Sequence, residues 1–120
     1  METNNKRILV ADDDILVRKL LDTFLTFCGY NVECVSTGKE AVTLIETDSY
    51  DVLITDYMMP EMNGIELIKK VRDIKKSLAI IGMSASEEEK GFLAAGANLF
   101  IAKPFSPYAL KNTIEKICPT

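Results

Sequence analysis

Short apolar runs alternate along the chain with longer stretches whose apolar residues recur every three or four positions. Five runs are rich in Ile, Val and Leu: Arg7 to Ala11, Asn31 to Val35, Asp51 to Thr55, Leu78 to Met83 and Asn98 to Ala102. Their length and composition predict strands buried on both faces. The stretches between them predict amphipathic helices. Ile15 to Cys28 sets Val17, Leu20, Leu21, Phe24 and Cys28 on one stripe, with Gly29 as a stop. Thr37 to Thr47 carries Ala41, Leu44 and Ile45, and Gly64 to Lys75 carries Ile65, Leu67, Ile68 and Val71. Ser86 to Ala95 opens Ser-Glu-Glu-Glu, which predicts Ser86 as a cap with Glu89 reaching back, and it ends at Gly96. Ser106 to Ile117 has Pro107 at its first helical position and aligns Leu110, Ile114 and Ile117.

Five β-α units in 120 residues predict one α/β domain over residues 1–120, with right-handed crossovers and helices on both faces of a parallel sheet. The economical arrangement is a doubly wound, flavodoxin-like (βα)5 fold with strand order 2-1-3-4-5. That order makes the first and third strands neighbours at the switch point, where open sheets bind ligands at the carboxyl edge. The apolar runs end in charge at that edge. Asp12 and Asp13 follow the first run, Asp56 the third, and Lys103, before Pro104, the fifth.

Composition narrows the classes. The net charge is −4 with no basic block, which argues against direct nucleic-acid binding. No apolar run reaches membrane-spanning length and the first residues lack a signal-peptide core, so no membrane partner is expected and a cytoplasmic location is. Cys28, Cys34 and Cys118 lack metal-ligand spacing, and their odd number argues against a disulfide framework, so buried reduced thiols are expected. There is no histidine, the commonest general base and metal ligand.

The remaining charged groups suit magnesium and phosphoryl chemistry. Magnesium takes octahedral oxygen ligands and keeps several waters. Asp13 and Asp56 can supply carboxylates, Asp12 can hold a coordinated water, and a backbone carbonyl just past Asp56, that of Met58, can add a ligand. Three carboxylates without a cation would repel one another and raise each other's pKa values. Asp56 can attack phosphorus without a general base, because a carboxylate is already ionised. Lys103 would neutralise charge on the phosphoryl oxygens, and Ser84 could donate its hydroxyl to one of them.

The segments Ile-Leu-Val-Ala-Asp12-Asp13-Asp, Asp56-Tyr-Met-Met-Pro60-Glu-Met-Asn-Gly64, Met-Ser84-Ala and Lys103-Pro104-Phe105 together resemble the receiver domain of two-component response regulators, the CheY-like family. Four motifs in order, each at a strand end, make the resemblance specific. It implies that Asp56 accepts a phosphoryl group from a sensor histidine kinase or phosphotransfer protein. It also implies that Asp12 and Asp13 hold magnesium, that Lys103 contacts the phosphoryl group and Ser84 senses it, and that Phe100 is the aromatic switch. A cis peptide between Lys103 and Pro104 is part of the same expectation. Met58 and Ser86 occupy the positions that tune phosphoryl lifetime, and neither is an acid or amide, so slow self-hydrolysis is expected. The interval from Ser84 to Phe100 is about one helical turn shorter than the resemblance implies. A fourth helix that starts late or is shortened follows, with Ala85 to Lys90 poorly protected.

The resulting expectation is a signalling receiver that catalyses only its own phosphorylation and dephosphorylation. Its output would be contact with a downstream protein, since no effector segment follows Lys116-Ile-Cys-Pro-Thr120, or weak homodimerisation through the fourth helix, fifth strand and fifth helix. Two alternatives compete. One is a pseudo-receiver that binds partners without phosphorylation. The other is a haloacid-dehalogenase-type phosphatase, which would use Asp12 and Asp14 as an Asp-x-Asp pair. Each charged motif also has a plainer reading: Asp12-Asp13-Asp14 as a helix cap, Asp56 and Lys103-Pro104 as turns, and Phe100 as core.

Overall fold

The computed structural model describes residues 6–118, so the ends of the expected 1–120 domain lie outside the described residues. Five strands alternate with five helices: β1 (Arg7–Ala11), α1 (Ile15–Phe27), β2 (Asn31–Val35), α2 (Gly38–Thr47), β3 (Val52–Asp56), α3 (Gly64–Ile74), β4 (Ala79–Ser84), α4 (Glu89–Ala95), β5 (Leu99–Ala102) and α5 (Pro107–Ile117). All strand pairs are parallel and the order is β2-β1-β3-β4-β5. The expected doubly wound architecture is the one formed.

The central strands are covered on both faces, which explains their unbroken apolar runs. Alternate residues divide between two cores. Leu9, Leu53 and Ile80 pack with Ile45 of α2, Leu67, Ile68 and Val71 of α3, and Phe92 of α4. Ile8, Val10, Ile54 and Ile81 pack with Leu21 and Leu25 of α1 and with Leu110 and Ile114 of α5. Each fully buried side chain of this size contributes about 1.5–3 kcal/mol by leaving water. Gly82 in β4 has a steric reason: a Cβ there would lie 2.5 Å from the Phe92 ring.

Element ends differ from expectation by about one residue where bridging backbone bonds decide them. β3 runs through Asp56, which pairs with Met83, and β4 runs through Ser84, which pairs with Ala102. Thr37 and Ser106 sit just outside their helices as caps, accepting from Glu40 N at 3.1 Å and Ala109 N at 3.1 Å. α3 has a reciprocal capping box between Asn63 and Glu66.

α4 is the exception. It has 7 residues, against 10 to 13 in the other helices. The expected Ser86–Glu89 capping box does not form. Glu88 occupies the N-cap position, and no side chain caps the helix. Ser86 is diverted to Ser84 and Glu88, so the first expected turn is lost. The helix therefore starts late, as the short Ser84-to-Phe100 interval implies. The three cysteines are free, and they are half-buried rather than fully buried. Among the described residues, no helix is long and apolar enough to cross a membrane.

Candidate functional site

The adjacency of β1 and β3 brings the acidic residues together at the carboxyl edge of the sheet. Oxygen atoms of Asp12, Asp13 and Asp56 all lie within 4.8 Å of one another. Asp12 is completely buried and Asp13 is exposed, so the cluster opens to solvent on one side. Lys103 comes from the loop after β5. Its Nζ lies 3.0 Å from Asp12 Oδ2 and 3.2 Å from Asp56 Oδ1. The Lys103–Pro104 peptide is cis, as expected, and Lys103 N donates to the Ser84 carbonyl at 2.8 Å.

The three consecutive aspartates have separate tasks. Asp14 is the N-cap of α1, where its Oδ1 accepts from Leu16 N at 2.9 Å. Asp12 Oδ1 accepts from Asp14 N at 2.9 Å, and its carbonyl accepts from Arg18 at 2.8 Å. The helix-cap reading thus holds for Asp14, while Asp12 and Asp13 join Asp56. The phosphatase alternative pairs Asp12 with Asp14, and that pair does not share the cluster.

Backbone contacts hold Asp56 in place. Gly64, at the start of α3, passes so close that a Cβ would lie 2.1 Å from the Asp56 carbonyl oxygen. Thr55 Oγ1 donates to that carbonyl at 3.0 Å, and Gly64 N donates to the Tyr57 carbonyl at 2.9 Å. Met58 lies in the loop just beyond and is 68% exposed. Glu61, in the same loop, has a positive φ of 68°, which bends the chain back toward Gly64.

The charge balance is uneven. Burial raises the Asp56 pKa, the negative charge of Asp12 raises it further, and Lys103 opposes both. Burial pulls the Lys103 ammonium down, but its hydrogen bond to Asp12 and the charges of Asp12 and Asp56 outweigh this and leave it raised. Among the described residues, the Lys103 ammonium contacts Asp12 and Asp56 but is paired with no oxygen of Asp13, and the three clustered carboxylates are a donor set that suits a hard divalent cation.

Ser84 ends β4 beside this cluster and is 2% exposed. Its Oγ accepts from Ser86 N at 3.1 Å, and it lies 3.1 Å from Ser86 Oγ and 3.3 Å from Glu88 Oε2. Ser86 also donates to that Glu88 oxygen. Phe100, half-buried in β5, leans on Phe92 with centroids 5.7 Å apart, and Tyr57 meets Phe92 edge-on at 6.1 Å. All the residues expected at the site therefore lie at this edge or directly behind it.

Two contributors were not evident in the chain. The role of Gly64 depends on where α3 crosses Asp56, which only the fold determines. Glu88 reads as one member of an acidic helix start. Its signal is the alternation of Ser84, Ser86 and Glu88, which would align the three side chains on one side of an extended segment.

A family model described as the response regulator receiver domain matches residues 8–115. The alkaline phosphatase synthesis transcriptional regulatory protein PhoP of Bacillus subtilis is 36% identical over 94% of the chain and 48% of its own length. The sensor protein EvgS of Escherichia coli is 40% identical over 92% of the chain and 9% of its own length. The chain thus spans about half, or less, of the length of curated relatives it matches. Among solved structures, the chemotaxis response regulator CheY4 of Vibrio cholerae superposes with a TM-score of 0.88, at 32% identity, covering 95% of this chain and 99% of that one.

Proposed function

The chain belongs to the response-regulator receiver family, and on that premise we propose that Asp56 accepts a phosphoryl group and that this modification switches the conformation of α4 and β5. The observation that supports this best is Lys103 Nζ lying between Asp12 and Asp56, at 3.0 and 3.2 Å, beside the three-carboxylate cluster. An Asp56 oxygen forms the new bond to phosphorus, and the donor's leaving group departs with its bonding pair. Lys103 is positioned to exchange its contact with Asp56 for one with a phosphoryl oxygen, and Ser84 to donate its hydroxyl to another.

Magnesium fits the donor set, because the carboxylates exceed the ammonium in number and their oxygens lie close together. Asp13, Asp56 and the Met58 carbonyl would hold it, with Asp12 acting through a coordinated water. When bound, it would neutralise charge on the transferred group. The donor is a sensor histidine kinase or phosphotransfer protein, and the output is contact with a downstream protein. The face formed by α4, β5 and α5 is the proposed surface for that contact or for weak self-association. Phosphoryl loss is slow, because neither the Met58 nor the Ser86 side chain carries an acid or amide that would orient an attacking water.

The test is intact-mass spectrometry after treatment with acetyl phosphate and magnesium. One labile phosphoryl adduct is expected on the unchanged chain, with none on Asp56→Asn and none in excess EDTA. Undiminished labelling of Asp56→Asn, or labelling unaffected by EDTA, would overturn the assignment. An unlabelled wild-type chain would favour the pseudo-receiver.

A further inference from the structure

The residue that caps α4 in position does not cap it in chemistry. The Glu88 carbonyl accepts from Phe92 N at 2.9 Å, which begins the helix. A negative charge is favourable near the free N–H groups of a helix's first turn. Glu88 instead turns back, and its Oε2 takes hydroxyl contacts from both Ser84 and Ser86.

A serine hydroxyl has one hydrogen, and an ionised carboxylate only accepts. While Ser84 directs its proton into the Ser86–Glu88 pair, it cannot also donate to a phosphoryl oxygen on Asp56. The two destinations lie on different elements. One is the lead-in to α4, and the other is the end of β3.

We propose that Glu88 is a positioning residue that latches the Ser84 hydroxyl away from Asp56 in the unphosphorylated chain. The inference rests on the receiver reading of Asp56 and Ser84 given above. Phosphorylation competes with Glu88 for a single proton donor. When Ser84 leaves, Glu88 loses that partner, and its carboxylate becomes available to the uncapped amides at the start of α4. The shortened helix start is thus a part of the switch, and the strength of the Glu88 contact sets how readily the chain adopts its phosphoryl-accepting state. Removing the latch raises the population of that state and increases the apparent reactivity toward donor by the same factor.

The experiment measures the initial rate of phosphorylation by acetyl phosphate in magnesium for the unchanged chain, Glu88→Ala and Glu88→Gln. Glu88→Ala should react about 5-fold faster or more, in the range of ordinary coupling between sites, with Glu88→Gln between it and the unchanged chain. Two controls separate the latch from the loss of a negative charge near an anionic donor. Glu87→Ala removes an equal charge one residue away and should leave the rate close to that of the unchanged chain. In a Ser84→Ala background, Glu88→Ala should have no further effect, because the latch has nothing to hold. Equal or slower labelling of a folded Glu88→Ala, a matching gain in Glu87→Ala, or an undiminished gain in the Ser84→Ala background would overturn the latch. No labelling of the unchanged chain would overturn the receiver reading, and the latch with it.

Discussion

At the scale of single residues, the carboxyl edge holds a carboxylate whose surroundings disfavour its charge. Asp56 is partly buried beside Asp12, and both effects raise its pKa above the ordinary 3.8. A raised folded-state value means that its contribution to stability is present below about that pH and is lost as the pH rises through the folded pKa. Without magnesium at neutral pH, Asp56→Asn should therefore unfold at a Tm higher by roughly 2–5 °C. The gap should close as the pH is lowered toward 3.8. Thermal unfolding in EDTA across that pH range checks both statements, and a lower Tm for the Asn variant at neutral pH would contradict them. Asp12, Asp13, Asp56 and Lys103 were legible in the chain because each charged group interrupts or ends an apolar run. Glu88 was not, because the choice between capping a helix and bonding two serines depends on where β4 ends in three dimensions.

At the scale of elements, α4 is the weak member of a strong framework. Phe92 is its one fully buried residue, and that ring packs against Gly82 and Phe100. Its far end is held by Arg72 of α3. The Arg72 side chain donates to the Gly96 carbonyl at 3.0 Å, to Asn98 Oδ1 at 2.9 Å and to the Leu78 carbonyl. Asn98 Oδ1 also accepts from Ile80 N at 2.8 Å. One planar guanidinium therefore joins α3, the entry to β4 and the turn after α4. Arg72→Ala should cost about 2–3 kcal/mol in denaturant unfolding, because it strips partners from several partly buried acceptors. Arg72→Lys should recover only part of this, since an ammonium lacks the planar fork. Among the described residues, no guanidinium clamps the start of α4 in this way. Amides from Ala85 to Lys90 should exchange with solvent faster than those of α1, α3 and α5, and hydrogen exchange followed by mass spectrometry reads this directly. Uniform protection across α4 would contradict it. The late start was legible as a deficit of residues between Ser84 and Phe100. The capping box read at Ser86 was misleading, because a local motif lost to contacts with β4 and Glu88.

At the scale of the whole molecule, the two edges of the sheet carry different polar clusters. The strand order was legible because alternating β and α patterns leave few right-handed ways to cover a parallel sheet. The same topology brings Asp12, Asp13, Asp56 and Lys103 together at the carboxyl edge. The opposite edge has its own polar cluster. Arg7 donates through Nη1 to the Ser49 carbonyl at 2.7 Å, and its guanidinium lies 4.6 Å from the centre of the Tyr50 ring. Arg7 N donates to Asp51 at 2.8 Å, and Tyr50 donates to Glu33 at 3.0 Å. These contacts tie the α2–β3 connection to β1 and β2, and burial with the Glu33 bond pushes the Tyr50 hydroxyl up to about 12. A strand of this length spans about 17 Å, so Arg7 is too far from Asp56 for their effects to couple, and distant sites add independently. Arg7→Ala removes a cation–π contact and a hydrogen bond at a half-exposed position, at a cost of about 1 kcal/mol. It leaves the backbone bond to Asp51 in place. The variant should unfold at lower denaturant concentration while its rate of labelling by acetyl phosphate stays that of the unchanged chain. A combined Arg7→Ala, Asp56→Asn chain should show the sum of the two stability changes within about 0.5 kcal/mol. A labelling rate that falls with Arg7→Ala, measured well below its unfolding temperature, would mean that strain passes along β1 from one edge to the other.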